Sequence, residues 1–246
     1  MTDPQELSRS FGRAAKTYED GRPGYPAEAT AWLLEPLGAR PRVADVGAGT
    51  GKLTRALVDA GAEVVAIDPD PEMLATLRQG VPGVPTFTGT AEALPLPDGS
   101  LDAVVLGQAW HWVDPVAGSA EAGRALRPGG VLGLVWNIRD ESVPWVARLT
   151  EIMRGSHAET LLAAGDPPVA EPFGELAART WRWERAVTRE TLHAMVASRS
   201  YVITAPEAEQ HRIRRESDAL FDEIGAVGEV EVNLPYLTHA YRAARA

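Results

Sequence analysis

The sequence contains no cysteine. Disulfide bonds, thiolate metal sites and cysteine nucleophiles are therefore excluded together, and we expect no metal centre. The chain also lacks an apolar run long enough to cross a bilayer, and its first residues, MTDPQELSRSFGR, lack the apolar segment of a secretory signal. These absences predict a cytoplasmic protein without a membrane partner.

The sequence has fewer basic than acidic residues, with 24 lysines and arginines against 34 aspartates and glutamates, and its formal net charge is −10. This balance disfavours a nucleic-acid partner, because phosphate contacts require a clustered basic surface. The basic cluster at positions 211–215 is typical of a solvated helix face. The 246 residues show no evident linker, which predicts one domain with insertions rather than two.

What the sequence does contain is the stretch VADVGAGTG at 43–51, which has the pattern of a buried strand running into a glycine turn. The strand is short and apolar, as in a parallel sheet covered on both faces. Glycines at 47, 49 and 51 allow positive φ and bring a ligand close to main-chain N–H groups. Apolar residues at helical spacing follow until Gly61, so that a strand, a turn and a helix are predicted in succession.

Dinucleotide-binding proteins use a glycine turn in the same context, with the fingerprint G-x-G-x-x-G. Here the third glycine is Gly51, and Lys52 occupies the position of the fingerprint's last glycine. Asp45 lies two residues before the turn, and Asp68 ends the next apolar run, about 20 residues on, where a carboxylate accepts hydrogen bonds from ribose hydroxyls. The spacing argues against an NAD-dependent oxidoreductase, which is kept as a lesser alternative.

Asp45, the glycine turn and Asp68 together resemble the class I S-adenosylmethionine-dependent methyltransferases. The resemblance implies an α/β, Rossmann-like, doubly wound sheet of about seven strands, the last one antiparallel, with a helical cap inserted between strands six and seven. It implies S-adenosylmethionine as cofactor and S-adenosylhomocysteine as product. A single domain over 1–246 would comprise an N-terminal lid (1–26), a cofactor-binding core (27–137), a cap and substrate region (138–228), and a final strand and tail (229–246).

The resemblance also implies a set of cofactor-binding residues. In the lid pattern Y-x-x-x-R-P-x-Y-P, Arg22 would pair with the methionyl carboxylate, or else stack on a neighbouring tyrosine. In the loop GTAEALP, Ala91 and Glu92 would meet the adenine edge. Met73, in a helix capped by Asp70, would pack on the adenine or in the core. The whole set is Tyr18, Arg22, Asp45, Gly47, Ala48, Gly49, Thr50, Gly51, Asp68, Pro69, Met73, Ala91, Glu92, Gln108 and Ala109.

The triplet Trp110, His111 and Trp112 follows the fourth predicted strand, at the sheet edge where open α/β sheets bind ligands. His111 is a candidate general base because imidazole titrates near neutrality, and the alternative is that it orients the pocket through a hydrogen bond. We expect Trp110 and Trp112 to wall the cofactor and the acceptor.

The second half of the chain supplies candidate acceptor-binding residues. Arg139 follows the fifth predicted strand and would face the acceptor. The string SRSY at 198–201 resembles a subgroup that includes trans-aconitate-type carboxyl methyltransferases, which implies that Arg199 and Tyr201 close over the acceptor and offer a guanidinium to an acidic group. An interior ion pair is the alternative for Arg199.

The local pattern in this half predicts a helix at 143–157, an irregular stretch at 158–174 and a strand at 179–187. Thr204 and Glu207 have the spacing of a capping box for a helix that ends near Ile224, before a final strand.

The predicted reaction is methyl transfer to a small-molecule acceptor. A sulfonium methyl is already electrophilic, so the protein must mainly align a nucleophile and exclude water. O-methylation is favoured, and a carboxylate acceptor would need no base because it is ionised at neutral pH. A hydroxyl or an activated carbon would need His111. A cyclase or regulator that binds the same cofactor shares the fold and stays an alternative, and the sequence leaves the oligomeric state open.

Overall fold

The structure is a computed structural model that describes residues 21–153 and 157–246. Most of the predicted lid, including Tyr18, lies outside the described residues. Within the described part of the chain, one sheet has seven strands in the order β3-β2-β1-β4-β5-β7-β6. The strands are β1 (Arg42–Val46), β2 (Glu63–Asp68), β3 (Thr86–Thr88), β4 (Leu101–Gly107), β5 (Leu126–Arg139), β6 (Ala177–Val187) and β7 (Val232–Ala244).

The sheet directions confirm the predicted fold class. β1 to β5 are parallel to one another, whereas β7 is antiparallel to both β5 and β6. The middle strands are buried because helices cover both faces, which explains their nearly continuous apolar sequence. The carboxyl ends of β1, β2, β4 and β5 therefore meet at one edge, and this edge carries the predicted site.

Helices alternate with the strands in the first half: α1 (Ala27–Leu34), α2 (Lys52–Asp59), α3 (Pro71–Gly80) and α4 (Pro115–Ala125). Asp70 caps α3 by accepting the N–H of Glu72 at 2.8 Å, as predicted. Asp114 caps α4 in the same way through two N–H groups. Both helices begin with proline, whose missing N–H costs nothing in a first turn.

The helices α7 (Arg189–Ala197), α8 (Ser200–Ile203) and α9 (Glu207–Glu223) lie between β6 and β7, where the helical cap was predicted. Two further helices of the predicted cap region, α5 (Pro144–Met153) and α6 (His157–Ala163), precede β6. The predicted irregular stretch is wrong up to Ala163, because Ala158 and two leucines of α6 pack into the core. The predicted capping box is also wrong, since the N-cap of α9 is Pro206 and Thr204 lies outside the helix.

The cap is fastened to the sheet by its own apolar cluster, whose buried members include Leu149 of α5, Met195 of α7, Phe221 of α9 and Tyr236 of β7. Such burial supplies the free energy that holds surface helices in place. Among the described residues no helix could serve as a membrane span.

Candidate cofactor and acceptor site

The glycine turn after β1 has the backbone conformation that its sequence predicts. Gly47, Gly49 and Gly51 have φ of 69°, 54° and 91°, a region that other residues rarely adopt. Space is a second requirement at Gly47, where an added Cβ would lie 2.6 Å from the Cβ of Ala109. At Gly49 the same atom would meet nothing within 4 Å. The turn therefore has open space beside its middle glycine.

The main-chain N–H groups of this turn are used inside the protein, which corrects the expectation that they face a ligand. The N–H groups of Gly47 and Ala48 both donate to the carbonyl of Ile67, and that of Gly51 donates to Ala48. The N–H of Gly49 donates to Asp68 Oδ2 at 2.8 Å. The glycines therefore permit tight curvature and close approach of the chain, and their N–H groups donate within the protein rather than to a ligand.

A cavity lies beside the turn, at the carboxyl ends of β1, β4 and β5. We call it the crevice. Its lining residues are Arg22, Pro23, Tyr25, Gly47, Ala48, Gly49, Thr50, Lys52, Leu53, Gly107, Gln108 and Asn137. Six of these belong to the predicted cofactor-binding set: Arg22, Gly47, Ala48, Gly49, Thr50 and Gln108.

Asn137 was missed by the sequence reasoning, although its place at the end of β5 is a signal for a site residue. Its Nδ2 donates to the carbonyl of Gly24 at 2.9 Å, and its Oδ1 accepts from Thr238 at 2.6 Å. Its own carbonyl accepts from the side chain of Gln108 at 2.7 Å. Asn137 therefore joins the segment before α1 to the sheet, at the wall of the crevice.

Asp68 is held rigidly at the end of β2. Besides the N–H of Gly49, its carboxylate accepts the N–H of Asp70 at 2.8 Å. Burial raises its pKa to about 6, against the lowering effect of these two hydrogen bonds. Each carboxylate oxygen keeps a further lone pair, so the group is suited to accept hydroxyl hydrogens as well.

Asp45 lies beneath the turn and is fully buried. Its Oδ2 accepts the hydroxyl of Thr54 at 2.5 Å, whereas its Oδ1 has no partner among the described residues. Burial raises the pKa of Asp45 to about 7, and the nearby charge of Asp68 acts in the same direction. A positively charged ligand above the turn would stabilise the ionised form.

The raised pKa of Asp45 predicts a pH dependence. A carboxyl whose folded-state pKa exceeds its unfolded value of 3.8 contributes stability below that value and loses the contribution as the pH rises to about 7. Asp45→Asn, which mimics the protonated form, should match wild type near pH 4 and exceed its unfolding free energy at pH 8 by on the order of 3 kcal/mol. Urea unfolding at both pH values measures this. The exposed Asp59→Asn is the control, and equal pH profiles for all three proteins would contradict the prediction.

Two residues of the predicted adenine loop, Glu92 and Leu94, form hydrogen bonds within the protein. Glu92 Oε1 accepts the N–H of Asp114 at 3.1 Å, at the start of α4. The N–H of Leu94 donates to Glu121 at 2.7 Å. Ala91 and Met73 are buried, with 9% and 3% exposure. Met73 thus packs in the core, and a contact of these residues with adenine stays a prediction.

His111 lies in a short 3-10 turn, Trp110–Trp112, directly after β4. Trp136 Nε1 donates to His111 Nδ1 at 3.3 Å. Because an indole nitrogen can only donate, Nδ1 must be the unprotonated nitrogen and the neutral ring carries its hydrogen on Nε2. In this form Nε2 carries a hydrogen that it can donate, and it has no lone pair with which to remove a proton.

Trp110 is placed differently from its prediction. Its side chain is 2% exposed, and its Nε1 donates to the carbonyl of Pro168 at 2.8 Å. It therefore packs in the core instead of forming a wall. Trp112 is half-buried, with its ring 4.9 Å from that of His111. The 3-10 turn separates the two tryptophans, because successive residues point in different directions.

Arg139 does not face an open crevice, which corrects its prediction. It is 1% exposed, and its Nη2 donates to Glu159 at 2.9 Å and to Thr150 at 3.1 Å. The interior ion pair that was an alternative for Arg199 is thus made by Arg139. Arg199 is also buried, at 8% exposure. Tyr201 follows two residues later, in α8.

The lid residue Arg22 joins the crevice to the cap. Its Nε donates to Ser198 Oγ at 3.2 Å and its Nη2 to the Ser198 carbonyl at 3.3 Å. Ser198 directly precedes Arg199 in the chain. The predicted cofactor side and the predicted acceptor side of the site are therefore in direct contact.

Known proteins are similar to this chain in sequence and in architecture. The sequence model of a protein family, the methyltransferase domain, matches residues 44–134. An uncharacterised methyltransferase from Mycobacterium tuberculosis (strain H37Rv) is 46% identical over 245 residues, covering 97% of both chains. A malonyl-[acyl-carrier protein] O-methyltransferase from Enterobacter lignolyticus is 33% identical over 184 residues, 72% of both chains. A solved structure, described as a type II methyltransferase from Anaeromyxobacter dehalogenans, is similar with a TM-score of 0.69 and 25% identity, over 91% of this chain and 97% of that one.

Proposed function

This chain belongs to the methyltransferases, and we propose that it transfers a methyl group from S-adenosylmethionine to an oxygen of a small-molecule acceptor, with a carboxylate as the favoured acceptor. The proposal includes the crevice as the cofactor site and S-adenosylhomocysteine as the product. A cytoplasmic location stays a prediction of the sequence.

The crevice has features that suit this cofactor. The open face of Gly49 admits a ligand close to the backbone, and Asp68 beside it has free lone pairs for ribose hydroxyls. Asp45 beneath the turn has an unpartnered Oδ1, and its ionised form would favour the cationic methionyl end. When bound, S-adenosylmethionine supplies a methyl group made electrophilic by its sulfonium.

The acceptor preference is carried by the protonation of His111. The hydrogen bond from Trp136 favours the form of the neutral His111 ring that carries its hydrogen on Nε2. This form supports a role for His111 in orienting an acceptor oxygen rather than deprotonating it. A carboxylate needs no deprotonation, because it is ionised at neutral pH. Transfer to a carboxylate would form an O–CH₃ bond as the methyl–sulfur bond breaks with its electron pair left on sulfur, so that no residue of this chain would have to accept a proton. The name of the Enterobacter relative, an O-methyltransferase of a malonyl group, supports the same reaction class.

The role of His111 can be tested by paired substitutions. His111→Gln retains an N–H donor and should keep methyl transfer within about fivefold of wild type, whereas His111→Ala should lower kcat/KM by about tenfold, as for a lost hydrogen bond. If His111 were a general base, kcat/KM would instead fall by about 10²-fold or more in both variants. Trp136→Phe removes the donor that fixes the protonation of His111, and it should lower kcat/KM by less than His111→Ala does.

The function itself is tested with methyl-labelled S-adenosylmethionine and a panel of small acids, phenols and amines. We expect label in methyl esters. Label in amines alone would contradict the favoured acceptor, and tight cofactor binding without any labelled product would support a regulator or cyclase on this fold. Calorimetric titration with NAD is the control, and tight NAD binding without S-adenosylmethionine binding would overturn the proposal.

A further inference from the structure

Five polar side chains are gathered inside the cap, and we call them the cap cluster: Arg139, Glu159, Arg199, Tyr201 and Tyr236. The sulfur of Met195 lies 4.0 Å from Arg139 Nη1 and 3.6 Å from Arg199 Nη2. Tyr236 of β7 is the register partner of Arg139 in β5. The charges of Glu159 and Arg199 and the hydroxyls of both tyrosines all act on the Arg139 guanidinium.

The cap cluster carries an excess positive charge. Its two guanidinium groups face one carboxylate, Glu159, which is paired with Arg139 at 2.9 Å. Within the described part of the chain, the polar contact of Arg199 is the thioether of Met195, which is a weak acceptor and carries no charge. A buried guanidinium without a counter-ion is costly, and it also repels Arg139 and lowers the pKa of that group further than burial alone.

Four donor groups of the cap cluster lack a partner. They are Arg139 Nε, Arg199 Nε, Tyr201 OH and Tyr236 OH, each buried and without a hydrogen bond in the described structure. Native proteins satisfy nearly all their buried polar atoms, so four orphans in one place require an explanation. All four can donate, and their common complement is a group with several acceptor oxygens and a negative charge, as in a carboxylate.

We infer that the cap cluster binds a carboxylate of the acceptor through Arg199, Tyr201 and Tyr236. Arg139 stays paired with Glu159 and lines the site without binding the carboxylate. This inference rests on the proposed function and adds a substrate class to it. It also gives Tyr236, which the sequence analysis did not single out, a role in specificity.

The position of the cap cluster indicates which end of the acceptor it binds. Asn137 lines the crevice, and Arg139 follows two residues later on the same face of β5, about 7 Å farther along the strand. A carboxylate at the cap cluster is therefore held away from the transferred methyl. The acceptor class that follows is a small acid with a second nucleophilic oxygen, of which a dicarboxylic acid is the simplest.

The test is binding of butyrate, succinate and the neutral succinamide to the protein saturated with S-adenosylhomocysteine, measured by calorimetry. For wild type we expect succinate to bind about tenfold more tightly than butyrate, as for an added charge-assisted contact, and succinamide to bind more weakly than either. Arg199→Met should abolish the preference for succinate while leaving S-adenosylhomocysteine affinity unchanged. Arg148→Met, which removes an exposed arginine paired with Glu223, is the matched control and should bind all three probes as wild type does.

Tyr236→Phe separates binding from a structural role and covers the case in which Arg199→Met fails to fold. If the hydroxyl serves only the anion, its removal should weaken succinate binding by about fivefold and leave the melting temperature unchanged or higher, since an orphan polar atom is lost. Succinate binding that is equal in Arg199→Met, Tyr236→Phe and wild type would overturn the inference, even if methyl transfer to another acceptor is found. Binding that depends on Arg199 without any labelled product would support the site and contradict the proposed reaction.

Discussion

Asp68→Ala is expected to weaken the binding of S-adenosylmethionine by about 100-fold. The carboxylate accepts the N–H groups of Gly49 and Asp70, both at 2.8 Å. Its removal leaves the two donors without this partner, at a cost of about 1–3 kcal/mol each, and deletes the proposed ribose contact as well. The glycine turn would then lose the support that sets its shape.

Calorimetric titration measures this effect, with the melting temperature of the free protein as a second readout. Asp68→Asn should lie between wild type and alanine, because an amide oxygen can still accept one of the two N–H groups. Asp59→Ala, at an exposed position of α2, should bind as wild type does. If Asp68→Ala lowered the affinity for S-adenosylmethionine by less than about threefold, neither the shape of the turn nor the binding of the ribose would depend on this carboxylate.

Glu159→Gln is expected to reduce the free energy of unfolding by about 3 kcal/mol, because it leaves two like charges buried in the cap without an anion. The side chains of Arg139 and Glu159 are only 1% and 13% exposed, so water can do little to replace the lost partner. Arg199→Met should act in the opposite direction and leave stability unchanged or higher, since it removes one of the two repelling charges. Opposite signs at neighbouring residues are difficult to explain by packing alone.

Urea unfolding of both variants measures this difference. Glu223→Gln breaks the ion pair between Glu223 and Arg148, whose side chains are both 53% exposed, and should leave the free energy of unfolding close to that of wild type, because exposed ion pairs contribute little. The double variant Arg139→Met with Glu159→Leu should recover most of the loss of Glu159→Gln, as replaced buried ion pairs often do. Equal losses for Glu159→Gln and Glu223→Gln would contradict the assigned burial of charge.

The conformation of the glycine turn and the place of Asp68 at a strand end could be predicted because their signals are local. Gly47, Gly49 and Gly51 required positive φ, and the structure has it. Asp68 ended an apolar run, and it lies at the end of β2 beside the turn. In the cofactor half of the site, the error concerned the N–H groups of the turn, whose acceptors are Ile67, Ala48 and Asp68. Two of these belong to another strand, and a local pattern does not specify contacts between strands.

The acceptor half could be predicted only in part. Arg139 and Arg199 were recognised as candidates, but their different states depend on Glu159 of α6, in a stretch that the local pattern indicated to be irregular. Tyr236 reached the cap cluster because β7 pairs with β5 in a particular register. Helix propensity and strand alternation carry no information on that register across about 100 residues of chain.

The sequence by itself determined the strand–turn–helix unit, because glycine conformation and apolar periodicity act through neighbouring residues. The fold class and the class of cofactor followed from the resemblance of its motifs to a known family. Only the tertiary structure decided the burial of Trp110, the hydrogen bond from Trp136 that sets the protonation of His111, and the pairing of Arg139 instead of Arg199. The physical reason is the same in each case: the partner atom lies on an element distant in the chain, and its position is known only when the sheet and cap are assembled.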